Sequence, residues 1–341
     1  MPRRKFGQKV TVYSSGTGGT SQRSCIDADE RKQRAARAAR FRDTGASADT
    51  PRTKADSDEI PTPERYVQGT CTVLEKDYFR LTGPARPAAV RPPSVLAAAF
   101  DRLRELYPLR GWEYISGQLR AIRQDMKVQG LDGSELSLNV YTVNARWSLE
   151  SQDLVQFIQC MTAVTRQIHS GSGALPRDVQ AEFLAYEVVY IALQDFYADQ
   201  LRFLRRLRDL PVGIKSHPYL RCGLRIRSWM ASGNYYRVLR AYTALRSRPK
   251  RLANSVPSHL LPLIELFLED LRLRLLRSLT KAYVQLGISL IVKWLGFATV
   301  DECKTFLLDH EVPIEEDSLV CKSCLPVLER RVQMIERRRL G

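Results

Sequence analysis

Apolar residues recur at helical spacing from residue 94 to about 247, and no other feature limits the fold of this chain so tightly. Val95, Leu96, Ala99, Leu103 and Leu106 share one helix face. Phe157, Met161, Val164 and Ile168 share a second, and Phe183, Tyr186, Val189, Tyr190 and Leu193 a third. Turn-forming residues interrupt the pattern at 108–111, 130–133, 170–176, 211–218 and 232–233. Antiparallel helix pairs follow, each helix about ten to twenty residues long. No exact repeat is present, but the alternation reads as a mainly α solenoid of helix hairpins over 94–255.

The pattern changes at 247–257. A long helix is expected over 258–283, with Ile264, Leu268, Leu271, Leu275 and Leu279 as its buried stripe and Arg274, Arg277 and Lys281 on another face. A short helix over 289–295 follows. Thr299 and Glu302 then form a capping box, in which each side chain satisfies a free backbone donor. This box starts a helix with Val300, Cys303, Phe306 and Leu307 on its core side. Runs at 312–314 and 319–321 have the composition of paired strands, and a last amphipathic helix from about Pro326 carries Leu328, Val332 and Ile335. Three helices and a small hairpin make a winged-helix subdomain over 256–341.

Residues 1–60 are rich in Gly, Ser, Thr, Asp and Arg and poor in aliphatics, so a disordered basic tail is expected, with a transient helix at 27–41. Residues 61–93 contain six prolines and read as an extended arm with a short helix near 74–81. Arg3, Arg4 and Lys5 precede no apolar stretch, so the start does not read as a signal peptide. The richest apolar run, 260–276, is broken by Glu265, Glu269, Asp270, Arg272 and Arg274, short of what a bilayer needs. Seven cysteines, an odd number, point to reduced thiols.

The formal charge is +16 in 341 residues, and it is concentrated. Between 202 and 251 there are fourteen Arg or Lys and one acid, Asp209. Uncompensated like charge opposes compaction, so a polyanionic partner is the expectation. Phe203, Tyr219, Trp229, Tyr235, Tyr236 and Tyr242 interleave with the cations, which suits phosphate contact plus base stacking. Trp229 and Tyr235 are expected to pack the helix pair, and Tyr236 to be exposed. The candidate nucleic-acid set is Arg202, Arg205, Arg206, Arg225, Arg227, Tyr236, Arg237, Arg240, Arg274, Arg277, Lys281, Arg337, Arg338 and Arg339.

Two blocks carry a resemblance. One runs from Val67 through Gly69, Thr70, Cys71, Leu74, Glu75, Lys76, Tyr78, Arg80, Leu81 and Thr82 to Val90-Arg91-Pro92. The other spans Leu119-Arg120-Ala121-Ile122-Arg123-Gln124-Asp125, then Val128-Gln129-Gly130. Together they resemble the opening of the GANP, or SAC-three, family of PCI-domain proteins. Leu74-Glu75-Lys76 stands where the main branch has Cys-Pro, so the chain is most similar to the leukocyte-receptor-cluster-member-eight branch, linked to splicing. Glu182-Phe183, Ala185-Tyr186 and 233–242 extend the similarity over about 64–310. The resemblance implies a PCI fold with a winged helix, a second PCI-domain partner, a small acidic disordered protein held through that partner, and nuclear mRNA processing or export.

Other motifs weigh toward structure. Cys71, Glu75, Arg80, Arg120, Arg123, Gln124 and Asp125 form the family signature. Their expected role is a polar network tying the arm to the first helices through Glu75 or Arg80, since a buried charge needs a partner. Cys321 and Cys324 make one tight pair where strong zinc patterns carry two, so free thiols in a hairpin turn are expected, with no metal or cofactor. The residues after 171–173 do not complete a Walker loop. His169, His217, His259 and His310 are scattered and suggest no catalytic constellation, and no enzyme is expected. On the third winged-helix helix, Asp301, Glu302 and Asp309 would be repelled by phosphates, so that helix is not expected in a DNA groove. RNA or mixed nucleic acid is the expected ligand. An adaptor of the proteasome-lid or signalosome type, meeting an acidic protein, is the alternative.

Overall fold

The computed structural model describes residues 66–171, 175–247 and 255–340, so the expectations for the basic tail and its helix at 27–41 lie outside it. Fourteen α-helices and two short strands are present among the described residues: α1 (Pro93–Leu106), α2 (Trp112–Val128), α3 (Glu135–Glu150), α4 (Leu154–His169), α5 (Arg177–Leu193), α6 (Tyr197–Asp209), α7 (Val212–Lys215), α8 (Pro218–Ala231), α9 (Tyr235–Ser247), α10 (Leu260–Glu265), α11 (Leu268–Ala282), β1 (Gln285–Gly287), α12 (Ile288–Leu295), α13 (Val300–Asp309), β2 (Ser318–Val320) and α14 (Cys321–Leu340). The mainly helical solenoid read from the sequence is the architecture found. None of these helices is long and apolar enough to cross a membrane.

Consecutive helices pack as antiparallel pairs, and α5 is the spine. It is buried along nearly its whole length and packs most extensively on α8. Gly223 of α8 permits the close approach: a Cβ there would lie 2.9 Å from a Val188 methyl and 3.1 Å from the Ala185 backbone. Several helices end on a left-handed residue that lets the chain reverse. Gly130 and Gly233 are signalled in the sequence, whereas Gln152 and Asp195 take the same conformation at φ 60° and 58°. These two supply breaks that the Gly/Pro pattern does not mark.

The arm departs from expectation. No helix forms at 74–81; apart from a 3-10 turn at Pro87–Ala89, residues 66–92 run without a helix beside α2. Several of their backbone donors are committed elsewhere. Val67 N–H donates to the Val128 carbonyl, Thr70 to Pro87 and Cys71 to Val90. Those of Gly69 and Lys76 go to the Gln129 and Gln118 amide oxygens. At Gly69 a Cβ would lie 2.3 Å from the Val90 carbonyl oxygen, so only glycine fits that crossing.

The C-terminal region has the order helix–strand–helix–helix–strand–helix, with a different strand pairing from the one anticipated. Pro313 lacks the N–H a ladder needs, and 312–314 forms no strand. β2 instead pairs antiparallel with β1, placing Leu286 opposite Leu319, both buried. Glu315 contributes one isolated bridge to Ser318. The long helix expected over 258–283 is two helices; the chain turns at Leu266–Phe267 and seats Phe267 edge-on to Tyr190, 6.3 Å between centroids. Val300 is exposed rather than on the core side, while Cys303 and Leu307 are buried. Pro326 lies inside α14, which begins five residues earlier at Cys321.

Two apolar cores result. A smaller one gathers Leu96, Phe100, Leu103, Leu119, Ile122 and Val140 from α1–α3. The larger runs unbroken from Ala145 to Val332, through the helical pairs and into the strand-bearing region. A polar chain reinforces the join. Glu182 is bound by Arg146 at 2.7 and 3.0 Å and by the Tyr186 hydroxyl at 2.8 Å. That hydroxyl in turn accepts the His259 N–H at 3.1 Å.

Candidate nucleic-acid interface

α6 and α8 both pack on α5, and α9 packs on α8, so the three basic helices are neighbours. Their inner faces carry Phe203, Leu220, Ile226, Val238 and Leu239, all buried, which turns the arginines outward. Arg221 and Arg225 lie one turn apart on α8, and Tyr236, Arg237 and Arg240 on α9; all are exposed. Trp229 and Tyr235 are half-buried against the core.

Carboxylates meet some of these cations. Arg202 pairs with Asp199 at 2.9 Å, Arg206 with Glu187 at 3.3 Å and Arg208 with Asp209 at 3.4 Å. Arg227 donates from Nε to the Gln200 amide at 3.0 Å, bridging α8 to α6 with its charge uncompensated. Arg205, Arg221, Arg225, Arg237, Arg240 and Arg246 are exposed and form no ion pair among the described residues. Arg221 belongs to this surface although the candidate set omits it; its spacing of one turn from Arg225 was the available signal.

The α11 cations divide. Arg274 is a correction: it is 4 % exposed and held by Asp195 at 2.6 Å and Asp270 at 2.9 Å, with Glu336 at 3.8 Å. Burial alone would lower its pKa, but the Asp270 and Asp195 carboxylates and the Tyr235 hydroxyl outweigh that and raise it. It staples the α5–α6 turn, α11 and α14, and cannot reach a ligand phosphate. Arg277 is half-buried, and exposed Lys281 pairs with Glu329 at 3.0 Å. Arg337 is exposed; Arg338 and Arg339 lie outside the described side chains.

Of the signature residues, Asp125 and Glu75 anchor the arm, whereas Arg80 and Arg120 are exposed and Arg123 bonds to α4. Asp125, buried on α2, accepts from Arg91 Nε at 2.7 Å and Lys76 Nζ at 2.8 Å. Arg91 is fully buried and also donates to the Leu74 carbonyl at 2.8 Å. Gln129 completes the set, donating to the Arg91 and Asp125 carbonyls. The anticipated partners are therefore corrected: Glu75 pairs instead with exposed Arg102, and Arg80 is exposed. Hydrogen bonds from Tyr114 and Arg102 lower the Glu75 pKa. Arg91 and Lys76 lay in the quoted motif, but the sequence did not show that they converge on one carboxylate. Arg123 donates to Gln156 at 2.9 Å, and Cys71 is half-buried in the arm.

Cys321 and Cys324 sit in the first turn of α14, not in a hairpin turn, and both are buried with raised pKa values because burial disfavours the thiolate. Among the described residues no group of three His, Cys, Asp or Glu is arranged to hold a metal.

The profile of the SAC3/GANP family matches residues 73–316, from within the arm to just short of β2. The chain belongs to the SAC3/GANP family. It is 27% identical over 250 residues to Protein THP3 of Saccharomyces cerevisiae, covering 72% of this chain and 50% of that one. It is 30% identical over 256 residues to the THP3 homolog C2A9.11c of Schizosaccharomyces pombe, covering 74% and 60%. A leukocyte receptor cluster member 8 homolog of Xenopus laevis is 27% identical over 277 residues, covering 80% and 32%. The chain thus spans half to three-fifths of the two fungal relatives. For this SAC3/GANP member, the arginine surface and the anchoring residues Lys76, Arg91 and Asp125 fall within the family match.

Proposed function

We propose that this chain is a non-enzymatic PCI-type scaffold that binds RNA through the arginine surface of α6, α8 and α9 and pairs with a second PCI-domain protein. The observation that carries the reading is the set of exposed arginines without carboxylate partners on three adjacent helices. Phosphates are the groups that such a surface lacks, and Tyr236, 38 % exposed between Arg237 and Tyr235, offers a ring for stacking. Membership of the SAC3/GANP family and similarity to THP3 proteins support a nuclear role in mRNA processing or export. A small acidic disordered protein, held through the PCI partner, belongs to the same proposal.

Pairing is assigned to the C-terminal region, read as a winged helix. Its third helix, α13, exposes Asp301, Glu302 and Asp309, and Lys304 is engaged by Asp317 at 2.8 Å, so phosphate is unwelcome there. Tyr283 and Val284, 48 % and 87 % exposed, flank β1 and give a partner an apolar strand edge.

Binding of a labelled single-stranded RNA across a salt series tests the reading. Replacing Arg225, Arg237 and Arg240 together by Ala lowers affinity for all sequences alike and reduces the salt slope by roughly 0.7 per lost phosphate contact. Arg227 is left intact because it braces α8 against α6. An unchanged affinity and slope in a folded variant would overturn the assignment.

A further inference from the structure

A second cationic site lies away from the arginine surface, where the arm crosses α2. Arg120, Arg123, Gln124 and Lys127 fall at i, i+3, i+4 and i+7 and form one stripe of that helix. Tyr78 of the arm and Tyr141 of α3 join this stripe in lining a cleft of about 530 Å³. That is within the size range of small-ligand sites, roughly 300–1,000 Å³.

Tyr78 follows closely on two held residues of the arm, Glu75 and Lys76. Lys76 is pinned to Asp125 at 2.8 Å and Glu75 to Arg102 at 2.9 Å, which fixes the register. The signature's Lys-x-Tyr spacing therefore delivers a half-exposed ring to the cleft.

The electrostatics are one-sided. Three cations line the cleft and no carboxylate does. Arg123 is half-buried, and its acceptors are the neutral Gln156 and Gln159 amides and the Cys160 sulfur, at 2.9, 3.4 and 3.3 Å. None of them compensates its charge, and its Nε is buried without a hydrogen-bond partner. Asp153, near Arg123's partner Gln156, is engaged elsewhere: it caps α4 and accepts from Trp112. Arg120 and Lys127 are exposed and free of ion pairs among the described residues. Gln124, whose amide holds no hydrogen-bond partner among them, is the group suited to a base edge.

We propose that this cleft binds one nucleoside phosphate, with the phosphate on Arg120, Arg123 and Lys127 and the base against Tyr78. The nucleotide is either free or the end of an RNA strand. The site is independent of the arginine surface, so either can fail without the other.

The test uses the full chain carrying Ala at Arg225, Arg237 and Arg240, which weakens the other surface. Binding of adenosine 5′-monophosphate, inorganic phosphate and a 5′-phosphorylated trinucleotide is measured by calorimetry. Arg120→Glu with Lys127→Glu, both on exposed positions, weakens all three ligands by about tenfold or more. Tyr78→Ala weakens the nucleotide and trinucleotide at least about fivefold and leaves phosphate unchanged, because only a base stacks. Tighter trinucleotide binding assigns the source to a strand, and equal binding to a free nucleotide. Absence of binding, binding indifferent to the double charge reversal, or equal affinity for phosphate and nucleotide overturns the proposal.

Discussion

Removing the carboxylate of Asp125 tests how the arm is held. In the folded chain that carboxylate meets fully buried Arg91 at 2.7 Å and Lys76 at 2.8 Å. Arg91 has few alternatives, since one of its terminal nitrogens is already buried without a partner. Asp125→Ala therefore strands a buried guanidinium, and breaking such a pair from one side costs about 3–5 kcal/mol. For a body of this size the loss corresponds to roughly 6–20 °C in Tm. Arg123→Ala is milder, about 1–2 kcal/mol, because its partners are neutral. Thermal unfolding measures the loss, and amide exchange at Gly69, Cys71 and Lys76 locates it, since these donors hold the arm on α2. Asp125→Leu combined with Arg91→Met, which removes both charges, recovers most of the stability. If Asp125→Ala melts within about 1 kcal/mol of the parent, or keeps its Tm and loses RNA, the anchorage argument is refuted.

Three further outcomes follow from buried groups. Arg274→Ala leaves Asp270 buried without its cation and lowers stability by about 3–5 kcal/mol in urea unfolding, while RNA affinity in the folded fraction stays at the parent value. Iodoacetamide at pH 8 modifies Cys71 well before Cys160 and Cys303, whose pKa values are pushed up to about 11 chiefly by burial; mass spectrometry of the labelled sites reads the order. His310 has its pKa lowered by burial, partly opposed by Glu269. The unfolded chain then binds the proton more readily, so this contribution is complete above the ordinary value of 6.5 and is lost as pH falls through the folded value. A His310→Gln variant should show a flatter loss of stability on acidification; an unchanged pH profile would count against it.

The helical pairs were legible because apolar spacing reports which face is buried, and Gly130 and Gly233 mark their own turns. Gln152 and Asp195 reverse the chain with residue types that carry no such signal. The arm's course was not legible, since it depends on donors meeting Gln118 and Gln129 some 42 and 60 residues away. Strand pairing failed for a related reason: composition marked 319–321, but not that its partner precedes α12. On the basic surface, charge density marked the helices that carry the exposed arginines. It could not separate Arg240, free on an outer face, from Arg274, enclosed by three acids. Burial is decided by neighbours such as Asp195 and Glu336 that lie far apart in sequence.

The unbroken core also sets an order of events during synthesis. Tyr186 and its neighbours on α5 are covered by a segment beginning near His259, 73 residues later. At about 5–20 residues per second, that segment emerges roughly 4–15 s after the surface it must cover. Through that interval the nascent chain displays Tyr186 and the α5 face around it to solvent or to whatever chaperone waits at the exit tunnel. Truncation near residue 257 would make the interval permanent, so a shortened transcript of this chain should yield a product cleared by quality control rather than a half-functional one.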